Sequence, residues 1–258
     1  MKRDKLLIRV SLVKYNMQMN RAFARDAIQL WLASLEPPEA YLQYLWGLIS
    51  HDEQLQAERF HFERDRIRFI TRRGTLRCIL SRYLGTPPEY LGFRNGSNGK
   101  PALTEDCNPN DLRFNLSHSH ELALYAVVLH KEIGVDIEHI HPVKDVETIA
   151  RRFFSMREYE TLRSLPEQQK LEAFFSCWTR KEAYIKACGD GLAQPLDRFD
   201  VSLAPNEPAQ LLSINGSTAE ASRWHLRGFT PFPGYTAALA VEGGNWVVAQ
   251  SRWPVEGI

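Results

Sequence analysis

One carboxylate in this chain stands where a helix should carry an apolar side chain. In residues 171–189, apolar residues recur at the i, i+3, i+4, i+7 spacing of one helix face: Leu171, Phe174, Phe175, Trp178 and Ile185. At about 100° per residue, Glu182 lies roughly 20° from the middle of that face. A buried carboxylate is costly unless a cation, a metal ion or hydrogen bonds compensate it. Glu182 is therefore either half of a structural salt bridge, for example with Lys186, or a residue with a chemical role.

Two more carboxylates lie on a predicted strand, residues 133–140. Its β-branched residues alternate with other residues, so Asp136 and Glu138 share one face, about 7 Å apart along the strand. Two carboxylates on one strand face repel each other unless water or a cation lies between them. The alternative is the solvated edge of an antiparallel sheet, which is the commoner use of this pattern.

Taken together, the three carboxylates offer the hard oxygen ligands that Mg²⁺ prefers. Magnesium usually takes one or two protein carboxylates, keeps some waters and accepts phosphate oxygens from a substrate. The set therefore predicts a magnesium site, with Mn²⁺ as an alternative metal, and a substrate that carries phosphate groups.

Cationic and polar residues in the first half fit such a substrate. Residues 64–84, which include the predicted helix 66–84, carry seven arginines and a single acidic residue, Asp65. Arginines four residues apart share a helix face, and guanidinium groups bind phosphate in a bidentate manner. The alternative for most of them is a solvated surface helix. The arginines are Arg64, Arg66, Arg68, Arg72, Arg73, Arg77 and Arg82.

Further candidate phosphate contacts lie in two predicted loops. Lys100 follows a glycine-bearing turn, and Ser117-His118-Ser119-His120 follows a short strand at 114–116. Two histidines spaced H-x-H can suggest zinc, but no cysteine or third histidine is close in sequence, so we discount a zinc site.

The remaining pattern predicts two α+β halves that meet near residues 130–134. Capping boxes, Ser50 with Glu53 and Ser155 with Glu158, mark two helix starts, and Asp65 is the predicted N-cap of the helix that ends at Gly85. The other predicted helices cover 40–49, 145–153 and 171–188. The predicted strands cover 27–32, 91–94, 101–103, 114–116, 122–129, 133–140, 199–203, 224–229, 235–241 and 246–250.

Composition excludes several classes of protein. A formal charge of +1 over 258 residues excludes a broadly basic nucleic-acid binder. Four scattered cysteines form no C-x-x-C pair, so we expect neither a disulfide framework nor a zinc knuckle, and a reducing cytoplasm fits. No apolar run approaches the ~20 residues of a membrane span. We expect residues 1–25 to be a loosely ordered extension without a secretory signal.

These motifs, in this order, resemble the 4′-phosphopantetheinyl transferases of the surfactin-synthetase-activating (Sfp) type. Each motif is short, but the set in the right order is specific, and the resemblance covers roughly residues 28–245. The matching stretches are Gly134-Val135-Asp136-Ile137-Glu138, Trp178-Thr179-Arg180-Lys181-Glu182-Ala183-Tyr184-Ile185-Lys186-Ala187, Asn115-Leu116-Ser117-His118-Ser119, Gly99-Lys100-Pro101 and Arg151-Arg152-Phe153-Phe154-Ser155.

The resemblance implies an α+β pseudo-dimer. Each of its two similar subdomains is a small, mainly antiparallel sheet with packed helices, and the active site lies in the cleft between them. In this chain the extension of residues 1–25 would precede an N-terminal subdomain, 26–132, and a C-terminal subdomain, 133–258. Such internal duplication makes a monomer sufficient.

The resemblance also implies the reaction and its residues. The family moves the 4′-phosphopantetheine arm of coenzyme A onto a serine of an acyl or peptidyl carrier protein, converting apo to holo carrier and releasing 3′,5′-ADP. Asp136, Glu138 and Glu182 would hold Mg²⁺, and Lys186 would contact a phosphate and stabilise charge on the transferring group. Glu182, Lys186 and Asp136 form the implied catalytic set. Residues implied to contact the coenzyme are Arg64, Lys100, Ser117, His118, Asp136, Glu182 and Lys186.

The chain departs from the family at Glu53 and Gln56, where other members carry lysines. Those coenzyme contacts cannot be carried over, so Arg64 or the helix after it must compensate. The expected partner is an acidic helical carrier domain, and the cations and apolar groups of residues 151–156 offer it a docking surface, unless Phe153 or Phe154 is simply core. Two other functions remain open: a Mg²⁺-dependent nucleotide pyrophosphohydrolase, and a catalytically silent carrier-binding protein.

Overall fold

The structure, a computed structural model, describes residues 27–96, 100–189 and 195–253. The predicted extension of residues 1–25 and residues 97–99 of the predicted turn lie outside the described residues. The first predicted strand is confirmed and begins the described part of the chain at Ala27.

The first half contains five strands or strand pieces and three helices among its described residues. The Ser50–Glu53 capping box is confirmed, with both of its hydrogen bonds formed. The prediction that Asp65 caps the long helix is wrong: the helix begins at Glu63, and Asp65 lies in its first turn. Gly85 ends that helix with φ of 70°, as predicted. The elements are β1 (Ala27–Ser34), α1 (Glu39–Trp46), α2 (His51–Glu58), α3 (Glu63–Leu84), β2 (Phe93–Asn95), β3 (Pro101–Leu103), β4 (Leu112–Ser119) and β5 (Leu122–Leu129).

The second half begins with the acidic strand and also alternates helices with strands. Ser155 and Glu158 form the second predicted capping box. The strand β8 and the short helix α7 were not predicted. No helix within the described ranges is long and apolar enough to cross a membrane. The elements are β6 (Ile133–His139), α4 (Val146–Phe153), α5 (Met156–Ser164), α6 (Glu167–Cys188), β7 (Phe199–Val201), β8 (Leu211–Ile214), α7 (Thr218–Ala221), β9 (Trp224–Phe229), β10 (Tyr235–Glu242) and β11 (Val247–Trp253).

The strands form two main sheets, and the predicted α+β architecture is confirmed. The first sheet has the order β11-β1-β5-β4, and the second has the order β6-β10-β9. All pairs in these sheets are antiparallel except β1 with β11, which is parallel. The last strand among the described residues, β11, therefore returns to the sheet of the first half, which the sequence pattern did not indicate.

The two sheets pack face to face, and helices cover the outer face of each sheet. Between them lies an apolar layer that includes Leu30, Leu124, Val135 and Leu239. On the outer face of the first sheet, α1 and α3 complete a second core, and on the outer face of the second sheet α6 completes a third. The layer order places β4 and β6, one edge strand from each sheet, side by side between α3 and α6.

Helix α6 lies unusually close to β6. A Cβ atom added to Gly134 would stand 2.0 Å from the carbonyl oxygen of Ala183 and 2.4 Å from the backbone nitrogen of Ala187. Only a residue without a side chain allows this approach. The contact fixes which residues of α6 face the acidic side chains of β6.

A buried ion pair anchors the same helix on another side. Lys181 and Glu158 are each about 1% exposed, and the Lys181 ammonium lies 2.7 Å from the Glu158 carboxylate. Lys181 also donates to the carbonyl oxygens of Leu196 and Phe199. The sequence of α6 predicts burial of a single apolar face. The helix is buried on a further side as well, because Glu158 and two carbonyl oxygens compensate the buried charge of Lys181.

We predict that Gly134→Ala lowers the free energy of unfolding by about 3 kcal/mol, because the new methyl group overlaps the α6 backbone rather than a flexible side chain. Chemical denaturation measures this change. The matched control is Gly244→Ala, where no heavy atom lies within 4 Å of the added Cβ, and the expected change there is below about 0.5 kcal/mol. Equal stabilities for the two variants would contradict the close contact.

Candidate active site

Polar side chains of β4 join the two edge strands. The Ser117 hydroxyl donates to Oδ1 of Asp136 at 2.7 Å, and the Ser119 hydroxyl donates to Oε2 of Glu138 at 2.6 Å. Asn115 lies two residues before Ser117 on the same face of β4, and its Oδ1 atom accepts a hydrogen bond from the backbone N–H of residue 135 at 2.8 Å. The predicted loop around Ser117 is therefore wrong. These residues belong to β4, and its alternate side chains face β6.

Asp136 is buried and lies at the centre of the site. It is 2% exposed, and the Lys186 ammonium lies 2.6 Å from its Oδ1 atom. Its other oxygen, Oδ2, is buried and has no hydrogen-bond partner among the described residues. Desolvation raises the pKa of Asp136, although the charge and hydrogen bond of Lys186 oppose this effect. The solvated sheet edge considered for this strand is excluded for Asp136.

The other two predicted carboxylates lie near Asp136 and are half-buried. Desolvation raises the pKa of Glu182, the charge of Asp136 raises it further, and the charge of Lys186 lowers it. Desolvation also raises the pKa of Glu138, against the hydrogen bond from Ser119. Glu182 is thus electrostatically coupled both to Asp136 and to Lys186, the partner considered from its sequence spacing.

No three histidine, cysteine, aspartate or glutamate side chains are arranged to hold a metal ion in the described ranges. Ser119 holds Glu138, and the Lys186 ammonium lies against Asp136. The three-carboxylate ligand set therefore stays a prediction. The donor set nevertheless fits a hard divalent cation, because a buried Asp136 oxygen has no partner among the described residues and Mg²⁺ needs only one or two protein carboxylates.

His118 lies on the opposite side of β4 from Ser117 and meets α3. Its Nε2 atom is 2.5 Å from Nη1 of Arg72, so the ring nitrogen accepts from the guanidinium. Desolvation, followed by the charges of Arg72, Lys186 and Arg68, lowers the pKa of His118 to about 4. His118 is therefore neutral at pH 7.

Two further predicted coenzyme contacts pair with carboxylates other than the three of the predicted metal site. Arg64 is exposed at the start of α3, with its Nε atom 3.6 Å from Asp65. The Lys100 ammonium donates to Glu132 at 2.7 Å and to the carbonyl oxygen of Ile133 at 3.1 Å. Lys100 lines a cavity of about 700 Å³ near the end of α6.

Two of the α3 arginines have a structural role that the sequence did not reveal. Arg73 and Arg77 both pair with Glu53 of α2, and Arg77 is 3% exposed. Arg77 also donates to the carbonyl oxygens of Pro88 and Leu91. The interpretation of these arginines as solvated or phosphate-binding is wrong, because Glu53, which replaces a lysine of the family pattern, uses both cations to fix α2 on α3.

Comparisons with known proteins match both halves of the chain. The sequence profile of the 4′-phosphopantetheinyl transferase superfamily matches residues 132–241, and that of the 4′-phosphopantetheinyl transferase N-terminal domain matches residues 33–130.

Three relatives are similar over most of the chain. The 4′-phosphopantetheinyl transferase HetI of Nostoc sp. is 45% identical over 88% of this chain and 92% of its own. A putative 4′-phosphopantetheinyl transferase of Synechocystis sp. is 31% identical over 77% of this chain and 78% of its own. The 4′-phosphopantetheinyl transferase Sfp of Bacillus subtilis is 32% identical over 66% of this chain and 71% of its own.

The chain belongs to the 4′-phosphopantetheinyl transferase superfamily. It is a transferase of this class, and the resemblance read from its motifs is confirmed.

We predict that Glu182→Gln stabilises the fold increasingly as pH rises. The folded-state pKa of Glu182 lies above its ordinary value, so the folded chain binds this proton more tightly than the unfolded chain, and ionisation at higher pH costs stability. Denaturation curves over a pH series should give equal stabilities below pH ~4, an advantage for the variant that grows as pH rises from the unfolded-state pKa to the folded-state pKa, and a constant advantage above it.

The control for this series is Glu172→Gln, at an exposed position on the same helix. A glutamine at 182 that gives no pH-dependent gain, or a loss that grows with pH, contradicts the electrostatic coupling described for the site.

Proposed function

We propose that this enzyme transfers the 4′-phosphopantetheine arm of coenzyme A to a serine of an acyl or peptidyl carrier protein and releases 3′,5′-ADP in a Mg²⁺-dependent reaction. The observation that carries the proposal is the grouping of Asp136, Glu182 and Lys186 where α6 crosses β6. A buried carboxylate oxygen without a partner, a coupled carboxylate and an ammonium suit a metal-bound diphosphate.

The metal ligands in this proposal are Asp136, Glu138 and Glu182. When bound, Mg²⁺ or Mn²⁺ would neutralise charge on the diphosphate of the coenzyme. Mutual repulsion supports the assignment, since the charge of Asp136 raises the pKa of both other carboxyl groups. A bound cation would relieve that repulsion.

Glu182 is also the candidate general base. The serine hydroxyl must lose its proton as its oxygen forms a bond to phosphorus, while the bond from that phosphorus to the oxygen of 3′,5′-ADP breaks. A carboxylate whose pKa lies above the usual range accepts a proton more readily, directly or through a water molecule. Lys186 can stabilise the negative charge on the transferred phosphoryl oxygens and on the leaving group.

The nucleotide would lie between the two halves. Ser117 contacts both Asp136 and Lys186, so in this proposal its hydroxyl would lie beside the diphosphate. His118 would contact the nucleotide from the other side of β4. Lys100, in the 700 Å³ cavity, and Arg64, exposed at the start of α3, are the proposed outer phosphate contacts.

The proposed carrier surface lies on α4 and α5. Arg151 and Arg152 are exposed, and Met156 is 67% exposed, so cations stand beside an apolar side chain. The Arg152 guanidinium lies 5.1 Å from the ring centroid of the half-buried Phe153. Phe154 is 4% exposed and belongs to the core. This agrees with the alternative considered from the sequence, in which Phe153 or Phe154 is a core residue rather than part of the docking surface.

The proposal includes a monomer in the cytoplasm, without nucleic-acid or membrane partners. The formal charge of +1 supports the absence of a broad basic surface. The buried thiols of Cys78 and Cys177 suit a reducing compartment.

Intact mass spectrometry of an apo carrier incubated with coenzyme A and Mg²⁺ tests the reaction. The expected result is an addition of about 340 Da, the mass of one phosphopantetheine arm, in a metal-assisted displacement. Glu182→Gln and Lys186→Met should each lower the transfer rate by about 100-fold or more, whereas Glu172→Gln should retain it.

The same assay separates the rivals. A pyrophosphohydrolase would cleave coenzyme A in the absence of carrier. A silent binder would add no mass, and its affinity for coenzyme A need show no dependence on Mg²⁺. Either result would overturn the proposed transfer.

We predict that Arg151→Gln/Arg152→Gln raises KM for the carrier about 10-fold at low salt and weakens its salt dependence, because these exposed cations steer an acidic partner. Steady-state kinetics at several salt concentrations measure this, with the exposed Arg223→Gln as control. A carrier KM that is independent of salt in the wild-type enzyme would count against the electrostatic surface.

A further inference from the structure

Side chains of β4 take the place of a backbone ladder between β4 and β6. The two strands belong to different sheets and do not pair with each other in the described part of the chain. Oδ1 of Asn115 accepts the backbone N–H of residue 135 at 2.8 Å. The Ser119 hydroxyl oxygen accepts the backbone N–H of His139 at 3.0 Å. Since Ser119 and His139 are the last residues of their strands, this hydrogen bond ties the end of β4 to the end of β6.

The hydroxyl proton of Ser119 has one available direction. A serine hydroxyl has a single proton and two lone pairs. Its oxygen accepts the N–H of His139, and its proton is donated to Oε2 of Glu138 at 2.6 Å. That length is typical of a hydroxyl that donates to a carboxylate. Two partners therefore determine the orientation of the hydroxyl, and the hydroxyl in turn holds Glu138.

The Glu138 carboxylate depends on this single contact. Among the described residues, no other donor forms a hydrogen bond with it and no cation forms an ion pair with it. Asp136 differs, because both Ser117 and Lys186 donate to its Oδ1 atom. A glutamate side chain that nothing holds occupies several rotamers, and ordering it costs conformational entropy. Removal of the Ser119 hydroxyl would therefore release Glu138 while Asp136 stays held.

The two serines hold the two carboxylates of β6 in the same way. Ser117 donates to one oxygen of Asp136, and Ser119 donates to one oxygen of Glu138. Within the described ranges, the second oxygen of each carboxylate forms no hydrogen bond with another side chain. Carboxylates that ligate a metal ion are themselves oriented by hydrogen bonds of this kind. The arrangement thus leaves one oxygen of each carboxylate for a divalent cation.

We propose that Ser119 is a positioning residue for the divalent cation and acts by orienting Glu138. This inference rests on the proposed function, because it needs Glu138 as a metal ligand. It adds a residue that touches neither the metal ion nor the coenzyme. Loss of a hydrogen bond to a metal ligand lowers metal affinity by roughly 10- to 100-fold. Ser119→Ala should therefore raise the dissociation constant for Mn²⁺ by about 10-fold.

The electron paramagnetic resonance signal of free Mn²⁺ measures this affinity. The full chain is titrated with Mn²⁺ in the presence of coenzyme A and without a carrier, so no transfer takes place. The matched control is Ser213→Ala, because the Ser213 hydroxyl also donates to a carboxylate, that of Asp200, in the separate sheet of β7 and β8. This control should bind Mn²⁺ as tightly as the wild type.

A double-mutant cycle separates positioning from a general loosening of the fold. A residue that acts only through Glu138 cannot cost more affinity than removal of Glu138 itself. Ser119→Ala should therefore weaken Mn²⁺ binding no more than Glu138→Ala does. Added to Glu138→Ala, it should change the dissociation constant less than about 2-fold. An unchanged affinity of the single variant Ser119→Ala, or an equal further loss in the Glu138→Ala background, overturns the inference.

Mass spectrometric detection of the transferred arm separates this inference from the proposed function. If Ser119→Ala weakens Mn²⁺ binding as expected but the wild type transfers no arm, the proposed reaction fails while the role of Ser119 stands. If the wild type transfers the arm and Ser119→Ala binds Mn²⁺ as tightly as the wild type, only the role of Ser119 fails. A wild type that binds no Mn²⁺ overturns both the metal ligands and the role of Ser119.

Discussion

The approach of α6 to β6 at Gly134 is the constraint on which the site depends. Backbone atoms of Ala183, Lys186 and Ala187 occupy the space that a Cβ of residue 134 would need, so this stretch of α6 lies directly against the acidic strand. Lys186 thereby reaches a nearly inaccessible Asp136. A longer distance between helix and strand would let water screen this pair and would free the carboxylate to ionise as it does in solution.

The region around β4 and β6 has charges of both signs that the described residues leave incompletely compensated. On the β6 side, three acidic groups have raised pKa values and one buried oxygen lacks a partner. On the α3 side, desolvation lowers the pKa of Arg72, and no carboxylate of the described residues pairs with it. A divalent cation with a phosphate-rich coenzyme would supply both missing charges at once, so the electrostatic cost in the free enzyme becomes affinity for the proposed substrate.

Local patterns in the sequence predicted the elements that carry the site, and long-range contacts decided the rest. Alternation placed Asp136 and Glu138 on one face, and both capping boxes formed, because these features depend on neighbouring residues. Glu53 binds arginines 20 and 24 positions away on another helix, which no local spacing reveals. The pairing of β11 with β1 and the burial of Lys181 likewise arise from tertiary packing that periodicity does not encode.

Anomalous diffraction from crystals grown with Mn²⁺ and coenzyme A would locate the metal ion. We expect a manganese peak at coordination distance from Oδ2 of Asp136 and from the Glu182 carboxylate, with a coenzyme phosphate oxygen on its remaining side. A well-occupied peak elsewhere, with Asp136 still bound only by Lys186 and Ser117, would contradict this expectation.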